Sequence, residues 1–112
     1  MHELSLCRAM VRIVERASDG RRVERVGLQV GVLRQVIPAT LEYAWGFVTA
    51  DTPMAGSVLD IEQVPLAIAC GDCGERTALV ELNMQCGRCE SRNVTVVSGE
   101  EFLLTTLDLA EE

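Results

Sequence analysis

Aromatic residues make up only 4% of the 112 positions, so any core has to be aliphatic. Histidine occurs once, at position 2. A Ser-His-Asp or Cys-His arrangement therefore has no interior imidazole to build on. No glycine-rich phosphate loop is visible either, so any nucleotide hydrolysis would belong to a partner. These absences argue against an enzyme. Positive charge is scarce: 10 basic against 17 acidic residues leave a formal charge of −7. The basic footprint needed for phosphate is missing, which argues against a nucleic-acid role. The balance is compatible with cation handling or with a basic protein partner. No apolar run approaches membrane-spanning length. Arg8, Arg12, Glu15 and Arg16 break up the start of the chain, so no secretory signal is expected. The expected compartment is the reducing cytoplasm.

The strongest positive signal is Cys70-Gly71-Asp72-Cys73 followed by Cys86-Gly87-Arg88-Cys89. Two residues between cysteines let one tight turn aim both sulfurs at one point. Gly71, Gly74 and Gly87 can supply the permissive φ angles of such turns. Two facing turns complete a tetrahedron of thiolates, which suits Zn²⁺. Residues 74–85 are a little shorter than the usual spacer but long enough for a hairpin. Disulfides are disfavoured by the compartment and by an odd count of five cysteines. A redox site would need one pair in a thioredoxin-like context. Iron in a rubredoxin-like site uses similar spacing and stays open on pattern alone, although few aromatics are present to shield it. The fifth cysteine, Cys7, lies on an apolar helical stripe and reads as a small buried hydrophobe.

Periodicity orders the rest. Leu4, Cys7, Val11 and Val14 repeat at helical spacing, with Met10, Ile13 and Ala17 widening the stripe, and Asp19-Gly20 closes the helix. Val26, Leu28, Val30 and Val32 alternate as a strand, with Gly27 and Gly31 on its other face, where a backbone can approach closely. Pro38 opens a second helix with Leu41, Ala44, Trp45 and Val48 as its stripe. Val58 to Ile68 reads as a strand running toward the cysteines, with Pro65 as an edge or a lobe boundary. Val94–Val97 and Phe102–Leu109 read as strands. The expected fold is α+β: two helices on a three-stranded antiparallel sheet, with an inserted zinc-ribbon-like lobe of rubredoxin-type knuckles. The expected lobes are 1–66 plus 99–112 and, for the metal knuckles, 67–98.

The start of the chain, Met1-His2-Glu3, has a plain reading and a chemical one. His2 can be a solvated side chain, and Glu3 can favour the helix dipole. Equally, the Met1 amine, the His2 amide and the His2 imidazole can close two fused chelate rings. Glu3 can add its amide or carboxylate. Planar nitrogen-rich sites suit Ni(II) and Cu(II). A bulky residue at position 2 is expected to leave Met1 in place.

Met1-His2-Glu3-Leu4-Ser5, Gly56-Ser57-Val58-Leu59-Asp60-Ile61-Glu62, Val64-Pro65, the two C-x-x-C pairs and Ser98-Gly99-Glu100-Glu101-Phe102 together resemble the HypA/HybF family, over essentially the whole length. These are accessory proteins that deliver nickel during [NiFe]-hydrogenase maturation. Gly87 stands where the family often has proline, and Val32–Val36 departs from the small-residue turn expected there. The resemblance implies a nickel metallochaperone, with nickel on His2 and Glu3 near the Met1 amine. It implies structural zinc on Cys70, Cys73, Cys86 and Cys89. It also implies a maturation GTPase of the HypB type and the hydrogenase large subunit as partners, urease maturation as a second destination, and a monomer or weak homodimer. The alternative is a zinc-ribbon interaction adaptor without a nickel role.

Overall fold

The computed structural model describes residues 3–79 and 82–111. The elements in order are α1 (Glu3–Ser18), β1 (Val23–Gly31), a 3-10 turn (Val32–Arg34), α2 (Pro38–Val48), β2 (Val58–Val64), β3 (Leu66–Cys70), β4 (Arg76–Leu79), β5 (Val94–Ser98) and β6 (Phe102–Leu109). They form two sheets, ordered β2-β1-β6 and β4-β3-β5. The chain divides into two compact units: Met1–Gln29 with Val36–Glu62 and Leu103–Glu112, and Val30–Gln35 with Gln63–Phe102.

In the first unit, α1 buries Cys7, Met10 and Val14 of its expected stripe, leaves Leu4 and Val11 half-buried, and exposes Ile13 and Ala17. Asp19 and Gly20 then take φ of 51° and 81°, which reverses the chain into β1. Proline at the start of α2 gives up no intrahelical bond. Leu41, Ala44 and Trp45 form its buried stripe. The following loop is held by its own hydroxyls: Thr49 Oγ1 donates to the Trp45 carbonyl at 2.7 Å, and Thr52 Oγ1 to the Thr49 carbonyl at 2.6 Å. The Trp45 indole N–H reaches Ser57 Oγ at 2.9 Å, satisfying the one polar atom of that side chain.

The class is α+β, as the periodicity predicts, but the first sheet is mixed. Strands β1 and β6 run antiparallel, since Gly31 N–H donates to Glu101 O while Ala110 N–H donates to Arg22 O. Strands β1 and β2 advance together: Arg25 meets Asp60 at 3.3 Å and Gln29 meets Glu62 at 3.1 Å. The cause is the connection. A strand that returns through a helix, here α2, arrives parallel to the one it left.

The expected strand Val58–Ile68 is two strands. Pro65 has no N–H for a ladder and separates β2 from β3, which join different sheets. Pro65, expected as either an edge or a lobe boundary, stands between strands of two different sheets. Strand β1 stops at Gly31, and Val32 enters the 3-10 turn, which ends on Gln35 in the left-handed region at φ 55°.

In the second unit, β3 is central and antiparallel to both neighbours. Leu66 pairs with Leu79, and Cys70 with Val94. Leu66, Ile68 and Cys70 point to one buried face. Strand β4 is absent from the sequence reading beyond the expectation of a hairpin, because its four residues carry no clear alternation.

Candidate metal centre

Cys70 ends β3, and Cys73 sits in the turn that leads to β4. The Cys70 N–H donates to the Glu75 carbonyl at 2.9 Å, and the Gly74 N–H returns to the Cys70 carbonyl at 3.1 Å. The second knuckle repeats this geometry. The Cys86 N–H donates to Ser91 O at 2.9 Å, and the Glu90 N–H to Cys86 O at 3.0 Å. The fifth residue of each knuckle is left-handed: Gly74 at φ 79° and Glu90 at φ 64°. Of the three glycines expected to supply permissive φ, only Gly74 does so. A Cβ at Gly71 would lie 2.8 Å from Asn93 Nδ2, so a side chain there would push that amide off the Asp72 carboxylate.

Backbone N–H groups point at the leading sulfur of each pair. Asp72 and Cys73 donate to Cys70 Sγ at 3.3 and 3.4 Å, and Arg88 and Cys89 to Cys86 Sγ at 3.4 and 3.5 Å. All four sulfurs lie within 4.8 Å of one another. Cys70 and Cys89 are 3.6 Å apart, as are Cys73 and Cys86. A tetrahedron with zinc–sulfur bonds of about 2.3 Å has edges of about 3.8 Å, so the cluster is close to the size that zinc demands.

The acidities follow from these contacts. N–H donation from Cys89, then Arg88, brings Cys86 down to about 6. Donation from Cys73 is the first cause of a lowered Cys70. Cys89 accepts a bond from the Ser91 N–H that favours its thiolate. The neighbouring Cys70 thiol and burial outweigh it and push Cys89 up to about 12. Cys73 is likewise raised, against the Glu75 N–H, by burial and by Cys86. Four sulfurs this close resist simultaneous ionisation without a cation among them. A divalent ion with affinity for sulfur removes that conflict, so the donor set fits zinc.

Protein contacts also tie one knuckle to the other. The Asp72 carboxylate accepts from Ser91 Oγ and, at 3.2 Å, from Asn93 Nδ2. These bonds hold its acidity below the usual carboxylate range. The Gly71 N–H donates to Asn93 O at 2.8 Å, and Arg88 pairs with Glu75 at 3.5 Å. Asp72, Ser91 and Asn93 are missing from the sequence reading. Their signal would have been polar residues inside one knuckle and just after the other.

Of the predicted nickel residues, Met1 and His2 lie outside the described residues. Glu3 opens α1 and is half-buried. Cys7, one turn further, is fully buried, donates to Leu41 O at 3.6 Å, and is not among the four converging cysteines.

An α+β protein with paired knuckles enclosing four thiols is a metal-binding protein by construction. The family model described as "Hydrogenase/urease nickel incorporation, metallochaperone, hypA" matches residues 1–109, and the chain belongs to that family, HypA. The hydrogenase maturation factor HypA of Acidithiobacillus ferrooxidans is 37% identical, covering 97% of this chain and 99% of the relative. That of Nitrosospira multiformis is also 37% identical, covering 97% of both. The solution structure of the nickel metallochaperone HypA from Helicobacter pylori superposes with a TM-score of 0.68 at 23% identity, covering all of both chains. A second HypA solution structure gives 0.74 at 23% identity, covering 100% of this chain and 98% of its own. These two support the fold.

Proposed function

We propose that this chain is a nickel metallochaperone, and not an enzyme, that delivers Ni(II) during [NiFe]-hydrogenase maturation. The observation that carries the reading is the family match, which takes in Met1-His2-Glu3 as well as both knuckles. Cys70, Cys73, Cys86 and Cys89 hold one structural zinc. The cage has four protein ligands and leaves no open position, so it supplies stability rather than chemistry. Nickel is the cargo. His2 and Glu3 bind it with the Met1 amine, in a planar or near-planar nitrogen-rich site. Ligands at a chain end are exposed and easily stripped by a better cage, which suits transfer.

The division of labour is a nickel-binding lobe of 1–66 plus 99–112 and a zinc-binding lobe of 67–98. The protein acts in the cytoplasm as a monomer or weak homodimer. Its partners are a HypB-type GTPase and the hydrogenase large subunit, with urease maturation as a second destination.

The test is nickel titration into zinc-loaded protein followed by calorimetry. One nickel per chain is expected, and His2→Ala should abolish it, since no other imidazole exists. Affinity should rise with pH, because amine, imidazole and amide must lose protons before they ligate. Adding two residues before Met1 keeps every side chain but breaks the fused rings. If that extended protein binds nickel as tightly, the amine is not a ligand.

A further inference from the structure

Arg8, Val11, Arg12 and Glu15 recur at i, i+3, i+4 and i+7 and so share one face of α1. They form one bank of a shallow groove of about 390 Å³, with Phe47 and Val48 of α2 on the other. Val11 and Val48 are half-buried and supply an apolar floor. Phe47 is 67% exposed, and Tyr43, one helical turn before it, is 80% exposed. Two of the chain's few aromatics thus stand in solvent on one helix face. Arg8 and Arg12 are exposed, and among the described residues neither takes part in an ion pair, unlike Arg25 and Arg88. Aromatic and arginine side chains beside an apolar floor are the composition of a protein-binding hot spot.

We infer that this groove docks an acidic amphipathic helix of a partner protein. The inference stands on the α1–α2 face alone and is independent of the nickel reading. The walls are two helices rather than a sheet edge: α2 ends at Val48 and leaves only its last carbonyls free, so no ladder of alternating N–H and C=O groups is offered to a strand. A helix satisfies its backbone internally and can lay apolar residues at i, i+3, i+4 and i+7 onto Val11, Val48 and Phe47. The charge of the occupant follows from the bank. Arg8 and Arg12 need carboxylates, whereas Glu15 at the far end does not. The acidic side of the partner therefore lies toward Arg8, which gives the docked helix a direction.

A second copy of this chain is a poor occupant. A two-fold contact that sets Arg8 against Glu15 of the copy pairs Arg12 with Val11 and leaves it without a carboxylate. An anionic lipid surface is opposed by the chain's net charge of −7.

The probe is a labelled synthetic helix with leucines at the four anchor positions and glutamates flanking them, beside a twin with lysines in place of the glutamates. The glutamate helix should bind the full chain and shift backbone amide resonances of Arg8–Glu15 and Tyr43–Val48. Joint Arg8→Glu and Arg12→Glu should weaken it on the order of tenfold, and Phe47→Ser similarly. The lysine helix should prefer the charge-reversed protein. These positions are on the surface, so thermal midpoints should not move. Several results overturn the inference: no binding of either helix, equal binding of both, or shifts elsewhere. Retention of phosphatidylserine vesicles without helix binding would assign the face to a membrane. Self-association abolished by Phe47→Ser would assign it to a second copy.

Discussion

Cys7 shows how one side chain can carry a pH dependence without any catalytic part. It is fully buried against α2. Burial first, and the Glu3 carboxylate second, raise its thiol from 9.0 to about 11. Between those values the unfolded chain has lost the proton and the folded chain keeps it. The contribution is full below pH 9 and fades as pH rises toward 11, by at most about 1.4 kcal/mol per pH unit. Denaturant melts from pH 8 to 11 should show a steeper loss for the natural chain than for Cys7→Ala. Equal slopes would mean that Cys7 ionises in place. Its buried character was legible in the helical stripe. The left-handed Glu90 was not, because glutamate carries no local mark of a positive φ, unlike the glycine at the matching position, Gly74.

At the scale of elements, two glycines make opposite predictions. Gly31 ends β1 with φ −73°, which any residue adopts, yet a Cβ there would lie 2.1 Å from the carbonyl of Gly99. Both partners are backbone and cannot swing aside. Gly31→Ala should cost about 3 kcal/mol. Gly46 lies in α2 with nothing within 4 Å of its missing Cβ. Gly46→Ala should stabilise by about 0.5–1 kcal/mol through helix propensity. Urea midpoints test both, and a shift of the same sign in the two would refute the steric account. The alternating pattern placed Gly31 on the face of close approach. The identity of the approaching loop, Gly99 in the turn between β5 and β6, is a contact between residues far apart in sequence. Likewise, the helix between β1 and β2 was legible, but the sheet was read as antiparallel throughout. The sense of a pairing depends on the path of the connection, which short-range periodicity does not encode.

For the molecule as a whole, the metal centre and the second unit stand together. Leu66, Ile68, Cys70 and Cys86 are among its few buried side chains, a small core for a unit with its own sheet. Zinc removal by a chelator, or Cys70→Ser, should release one zinc and strip hydrogen-exchange protection from roughly residues 68–98. The first unit has α1, α2 and a separate sheet, and its helical circular dichroism should persist. Full protection between residues 69 and 97 in the cysteine variant would show that the metal is dispensable for folding.

The sequence by itself determined the four-cysteine cluster, both helices and the strands with clear alternation, but not β4. Cysteine spacing, helical stripes and strand alternation are short-range, and each is set by bond geometry within a turn or two. It also carried the family through motifs spread along the chain. Tertiary structure alone decided which strands meet, that Pro65 hands the chain from one sheet to another, and that Asp72 is held by Ser91 and Asn93. It also decided that Tyr43 and Phe47 face solvent, Phe47 beside Arg8 and Arg12, where periodicity showed only the apolar stripe of α2. Those outcomes depend on closing loops between residues distant in the chain, and the cost and reward of closure are settled only when the whole chain packs.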